Sequence, residues 1–69
     1  MSIHVRGEYL KQIRLSNNFS RTTAAKYLEL SPRIIRRIEE SKRKCSVGEI
    51  NLLATLYHIE PTSIVRDYE

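Results

Sequence analysis

Ser31-Pro32 constrains this 69-residue chain more than any other pair of neighbours. A serine hydroxyl accepts a hydrogen bond from a free N–H at a helix start, and proline's fixed φ and missing N–H suit the first helical position. A helix is therefore expected to open at Pro32 and to run to about Glu40. At about 100° per residue, Ile35, Ile38 and Glu39 share one side of it, while Arg33, Arg36 and Arg37 occupy the other with Ile34 at their flank. Arg33 falls in the first turn, where the helix dipole already presents positive charge and a cation is unfavourable. That placement predicts an anion from outside the chain. The preceding helix repeats it: Ser20 caps a segment through Leu28 that carries Arg21 at its first position. Two helix N-termini, each bearing an arginine, make two docking points for phosphates or base edges.

Charge points the same way. The chain carries a net +4, and a basic balance implies a polyanionic partner only where it is clustered. From Ser31 to Lys44 there are six cations (Arg33, Arg36, Arg37, Lys42, Arg43, Lys44) against Glu39 and Glu40, so the whole excess belongs to the Pro32 helix and the loop after it.

The length is that of one domain, 1–69, near the size at which burial only just offsets ordering entropy. No apolar run approaches a membrane span or a signal peptide, and the single Cys45 can close no internal disulfide, so a cytoplasmic chain with no membrane partner is expected. Val5, Tyr9, Leu10 and Ile13 recur at helical spacing and predict a first helix from about Arg6 to Asn17, ended by Asn17-Asn18, which tolerate left-handed turns. Ala24, Ala25 and Leu28 are the core positions of the second helix, and the paired alanines let another helix approach closely. The bend at 29–31 and the Pro32 helix follow, and helix, tight turn, helix is the arrangement that holds its second member out for a groove. Ser41 to Cys45 reads as a basic loop. Ser46 and Glu49 form an S-x-x-E capping box opening a fourth helix whose Ile50, Leu53, Ala54 and Tyr57 face the core as far as His58. Glu60-Pro61 then starts a short last helix bearing Ile64, Val65 and Tyr68. The fold class is all-α, a compact bundle of five helices.

From about Leu10 to Val65 the chain resembles the phage-repressor, Cro and XRE-like group of helix-turn-helix DNA-binding domains. The residues that carry the resemblance are Leu10-Lys11-Gln12-Ile13-Arg14, then Phe19-Ser20-Arg21, Ala24-Ala25, Leu28 and Leu30-Ser31, then Ile35, Glu39, Lys42-Arg43 and Ser46. The resemblance implies a lambda-repressor-like five-helix fold, insertion of the Pro32 helix into the major groove of double-stranded DNA, and transcriptional regulation, as a repressor or Cro-like switch. Four departures stand out: Glu29 where the family turn has glycine, Arg21 for glutamine, Ser41 for glycine and Cys45 for proline. A left-handed residue other than glycine costs roughly 1 kcal/mol. Many relatives also set a polar side chain against a base at the position of Pro32, which cannot donate, so base reading shifts to Arg33, Ile34, Arg36 and Arg37.

Each of these residues has a plainer reading as solvated surface, and Arg36 can pair with Glu40 four residues on. Arginine grips guanine O6 and N7 bidentately, and an apolar residue such as Ile34 suits the thymine methyl, which favours base edges. Arg21, Ser31, Lys42, Arg43 and Lys44 are the phosphate candidates. Arg14 and Glu39, beside the apolar stripes of their helices, are expected to be a partly buried structural ion pair, one that the family commonly forms. Cys45 beside three cations is read as a small loop residue rather than an oxidant sensor. His4, His58 and Cys45 lack metal-ligand spacing, and two isolated glycines cradle no phosphate, so no enzyme, metal, cofactor or small-molecule ligand is expected. One recognition helix reads too few base pairs to find a site in a genome, so a homodimer is expected, formed free or only on DNA. Its interface candidates are Ile64, Val65 and Tyr68, which one short helix cannot all turn to the core. The alternative function is a protein-interaction module of the same fold, an antirepressor, which would present aromatic or apolar anchors on the exposed helix face.

Overall fold

The computed structural model describes residues 2–66. Five helices carry the fold: α1 (Gly7–Ser16), α2 (Arg21–Leu28), α3 (Pro32–Glu39), α4 (Val47–Tyr57) and α5 (Pro61–Ile64). Two strands of two residues each, β1 (Ser2–Ile3) and β2 (Cys45–Ser46), pair antiparallel with Ile3 opposite Cys45. The strands were not expected, and the end of the basic loop is thereby pinned to the N-terminal segment. Val5, counted in the apolar periodicity of the first helix, instead forms a bridge with Val65 and is buried ahead of α1. The Arg6 N–H donates to Ile64 O and the Arg66 N–H to His4 O, so the segment before α1 is clamped between β2 and the chain after α5.

The serine caps work as their side-chain chemistry dictates. Ser20 Oγ accepts from the Thr23 N–H, Ser31 Oγ from Ile34 and Ser46 Oγ from Glu49, whose carboxylate in turn accepts from the Ser46 N–H. Pro32 and Pro61 occupy first helical turns. At the other ends, Asn18, Glu29, Ser41 and His58 all adopt left-handed φ near 60°. After each, the next N–H reaches back five residues: Phe19 to Arg14 O, Leu30 to Ala25 O, Lys42 to Arg37 O and Ile59 to Ala54 O. These are Schellman-type ends. Glu29 and Ser41, where relatives carry glycine, keep the turn geometry rather than reshaping it, because the recovered hydrogen bond and the tuck of Leu30 offset a cost of roughly 1 kcal/mol.

Leu10, Ala24, Ala25, Leu28, Ile35, Ile38, Ile50, Leu53, Ala54, Tyr57 and Ile64 make one core. α2 packs on both α3 and α4, and α1 lies against α3. The α1–α3 crossing depends on Gly7. A Cβ there would collide with the Glu39 carbonyl oxygen and lie 2.6 Å from Ile38 O and 2.7 Å from Ser41 Oγ. Two of those atoms are backbone and cannot step aside. Gly7→Ala gains about 0.5–1 kcal/mol of helix propensity but must prise the two helices apart, at about 1–3 kcal/mol. The variant is expected to melt at a lower temperature than the parent; equal or higher stability in a thermal melt would refute the close approach.

Candidate nucleic-acid interface

α3 carries its side chains as the helical period requires. Ile35, Ile38 and Glu39 are buried, and Arg33, Arg36 and Arg37 are exposed on the opposite side. Ile34 is half-buried against the core, so only part of it is offered outward. The arginines differ in what holds them. Arg33 makes no side-chain hydrogen bond or ion pair among the described residues. Arg36 Nε donates to Glu40 Oε2 at 3.0 Å. Arg37 Nη2 reaches the Lys42 carbonyl at 3.4 Å, a long contact.

The phosphate candidates divide in the same way. Ser31 is exposed with its oxygen engaged in capping, and its hydroxyl hydrogen remains to donate. Lys44 is exposed and Lys42 Nζ lies 3.6 Å from Glu40 Oε1. Arg43 is spent differently from expectation. Its two Nη atoms donate to the two Glu49 oxygens at 3.1 and 3.2 Å, and the same carboxylate completes the α4 capping box. Arg43 therefore fastens the loop to α4 and is a weaker phosphate candidate than Lys42 or Lys44.

Behind α3, Arg14 Nε donates to Glu39 Oε2 at 2.7 Å and Arg14 Nη2 to Glu39 Oε1 at 3.2 Å. The side chains are 6 % and 3 % exposed. The hydrogen bond to Glu39 raises the Arg14 pKa, against the opposing effect of burial. Arg14 Nη1 also donates to Phe19 O, which ties the α1–α2 turn to the pair. Sequence reasoning missed the third member. Arg21 Nε donates to Glu39 Oε1 at 3.2 Å, so the departure from glutamine at that position adds a second guanidinium to one carboxylate while the Arg21 side chain stays partly exposed. No pattern within α2 reveals this, since the partners lie 18 residues apart. All three sit where α1, α2 and α3 converge.

The sequence matches a helix-turn-helix family model over residues 10–64. The chain belongs to that family. Among solved structures it is similar to the restriction-modification controller protein C.AhdI from Aeromonas hydrophila, which is 30% identical and superposes with a TM-score of 0.75 over 83% of this chain and 86% of C.AhdI. No curated protein matches the chain significantly. As a member of the XRE-like helix-turn-helix group, the protein is a DNA-binding transcriptional regulator. No helix among the described residues is long and apolar enough to cross a membrane.

The interface candidates at the C-terminal end are placed unequally. Ile64 is fully buried in the core, so it supplies no surface and is withdrawn as an interface residue. Val65 is half-buried beside Val5, and Tyr68 lies outside the described residues. Cys45 is buried on β2, and loss of water, with a smaller push from Glu49, drives its thiol up to about 11 from 9.0. A raised pKa in the folded state leaves the thiol's contribution to stability intact below about pH 9 and removes it as pH climbs towards 11. At neutral pH it is a protonated core side chain.

Proposed function

We propose that this helix-turn-helix protein is a sequence-specific repressor or Cro-like switch that binds a double-stranded operator as a homodimer and reads the major groove with α3. The observation that carries the reading is the outward face of α3, where Arg33 is held by no partner among the described residues while Arg36 and Arg37 flank it. Arg33 and Arg37, one turn apart, are the leading base readers, with Ile34 and Arg36 beside them. Arg21, Ser31 and Lys44 frame them as phosphate contacts, Lys42 is held beside Glu40, and Arg43 holds the loop that presents both lysines. An antirepressor surface is disfavoured, because this face offers arginines and a half-buried isoleucine rather than aromatic anchors.

The protein's longest dimension is 32 Å. Half-sites of helix-turn-helix dimers lie about 34 Å apart, so one copy covers one half-site and a palindromic operator calls for two. Val65 and Tyr68 are the proposed contact between copies. Small regulators of this kind often act on genes close to their own. Footprinting on DNA flanking its gene should reveal protected half-sites about one helical turn apart, occupied by two chains in light scattering. Uniform protection without a preferred site, or one chain on a full operator, would overturn the specific or the dimeric part of the reading respectively.

A further inference from the structure

Glu40 is an acid on a face built for an anion. It lies seven residues beyond Arg33, within about 20° of it around the helix, so its carboxylate points to the same side. Both oxygens face cations: Oε2 accepts from Arg36 Nε at 3.0 Å and Oε1 lies 3.6 Å from Lys42 Nζ, an ion pair without a hydrogen bond. The Arg36 hydrogen bond is the main cause that holds the Glu40 carboxyl below the usual carboxylate range, so the group stays ionised at neutral pH. All three side chains are exposed, and Arg36 keeps both Nη atoms free among the described residues.

We propose that Glu40 is a specificity-determining residue, an internal carboxylate that occupies Arg36 and Lys42 so that neither adds freely to sequence-independent phosphate binding. The inference rests on α3 being the helix that reads DNA. Non-specific binding consists of phosphate contacts, and each cation that joins it steepens the salt dependence. To recruit Arg36 and Lys42, a non-specific duplex must displace Glu40. At the operator, base edges engage Arg33 and Arg37, and Arg36 can act through its Nη atoms while its Nε stays on Glu40. The displacement therefore weighs on the non-specific mode and widens the gap between right and wrong DNA.

The test compares the parent with Glu40→Gln and, as a control of equal charge change, Glu60→Gln, whose side chain is exposed and makes no capping hydrogen bond. Affinities for the operator and for a random-sequence duplex are measured across a salt series. Glu40→Gln should raise random-duplex affinity by about two- to fivefold over the control, the range open to an exposed ion pair. Its random-duplex salt slope should steepen by about 0.9 to 1.8, one or two added phosphate contacts. Operator affinity should stay within about twofold of the control, so the specificity ratio falls. Equal behaviour of the two variants on random duplex, or equal gains on both DNAs, overturns the role of Glu40 and leaves the α3 reading intact. A parent that prefers no sequence overturns both.

Discussion

Glu39→Ala should destabilise the fold by about 3–5 kcal/mol, the loss typical of a buried pair from which one partner is removed. The carboxylate is 3 % exposed and takes three hydrogen bonds, two from Arg14 and one from Arg21. Its loss strands the Arg14 guanidinium where water cannot replace the lost oxygens, and it unties the Phe19 carbonyl turn from a fixed anchor. The penalty comes from the uncompensated charge rather than from any large intrinsic worth of the pair, so Arg14→Met in the same chain should recover part of it. Denaturant melts of the single and double variants measure both effects. A single-variant loss below about 1 kcal/mol, the range of an exposed pair, would remove Glu39 from the scaffold role.

Arg33→Ala and Arg37→Ala are each expected to weaken operator binding by about 1–3 kcal/mol and to relax the preference at one base position. Arg33 should give the larger effect. Among the described residues it has no internal contact to release on binding, whereas Arg37 would first give up the Lys42 carbonyl. Lys44→Ala should instead lower affinity for all sequences alike and flatten the salt slope by about 0.9, the signature of one phosphate contact. Gel-shift titrations on operator variants at two salt concentrations separate the cases. Unchanged operator affinity in both arginine variants would move the reading surface away from α3.

The helices were legible because their signals are local. A serine hydroxyl, a proline ring or a left-handed Asn18 acts on backbone within three or four residues, so the starts at Ser20, Ser31, Ser46 and Pro61 and the helical ends could be read along the chain. The outward arginines of α3 were legible too, since angular position follows from residue number alone. Glu39 and Arg14 could be matched because a charge on an apolar stripe requires a partner.

What needed the tertiary structure was the choice made by long, flexible side chains among partners brought close by folding. Arg21 looked like a phosphate ligand and Arg43 like another, yet each first meets a carboxylate, Glu39 from α3 and Glu49 from α4. Two-residue strands show no alternation that sequence could reveal, and β1 exists only because β2 offers it unpaired backbone, as Val65 does for Val5. Nothing local marks Gly7 as a contact point; its close approach exists only because α3 is set against it. Along the chain, local chemistry determined which segments became helices and which way α3 turned its arginines. Only the packing of α1, α2 and α3 decided which charges are consumed within the protein and which, above all Arg33, keep no partner among the described residues, because Coulomb attraction and hydrogen bonding act over a few ångströms in space regardless of separation in sequence.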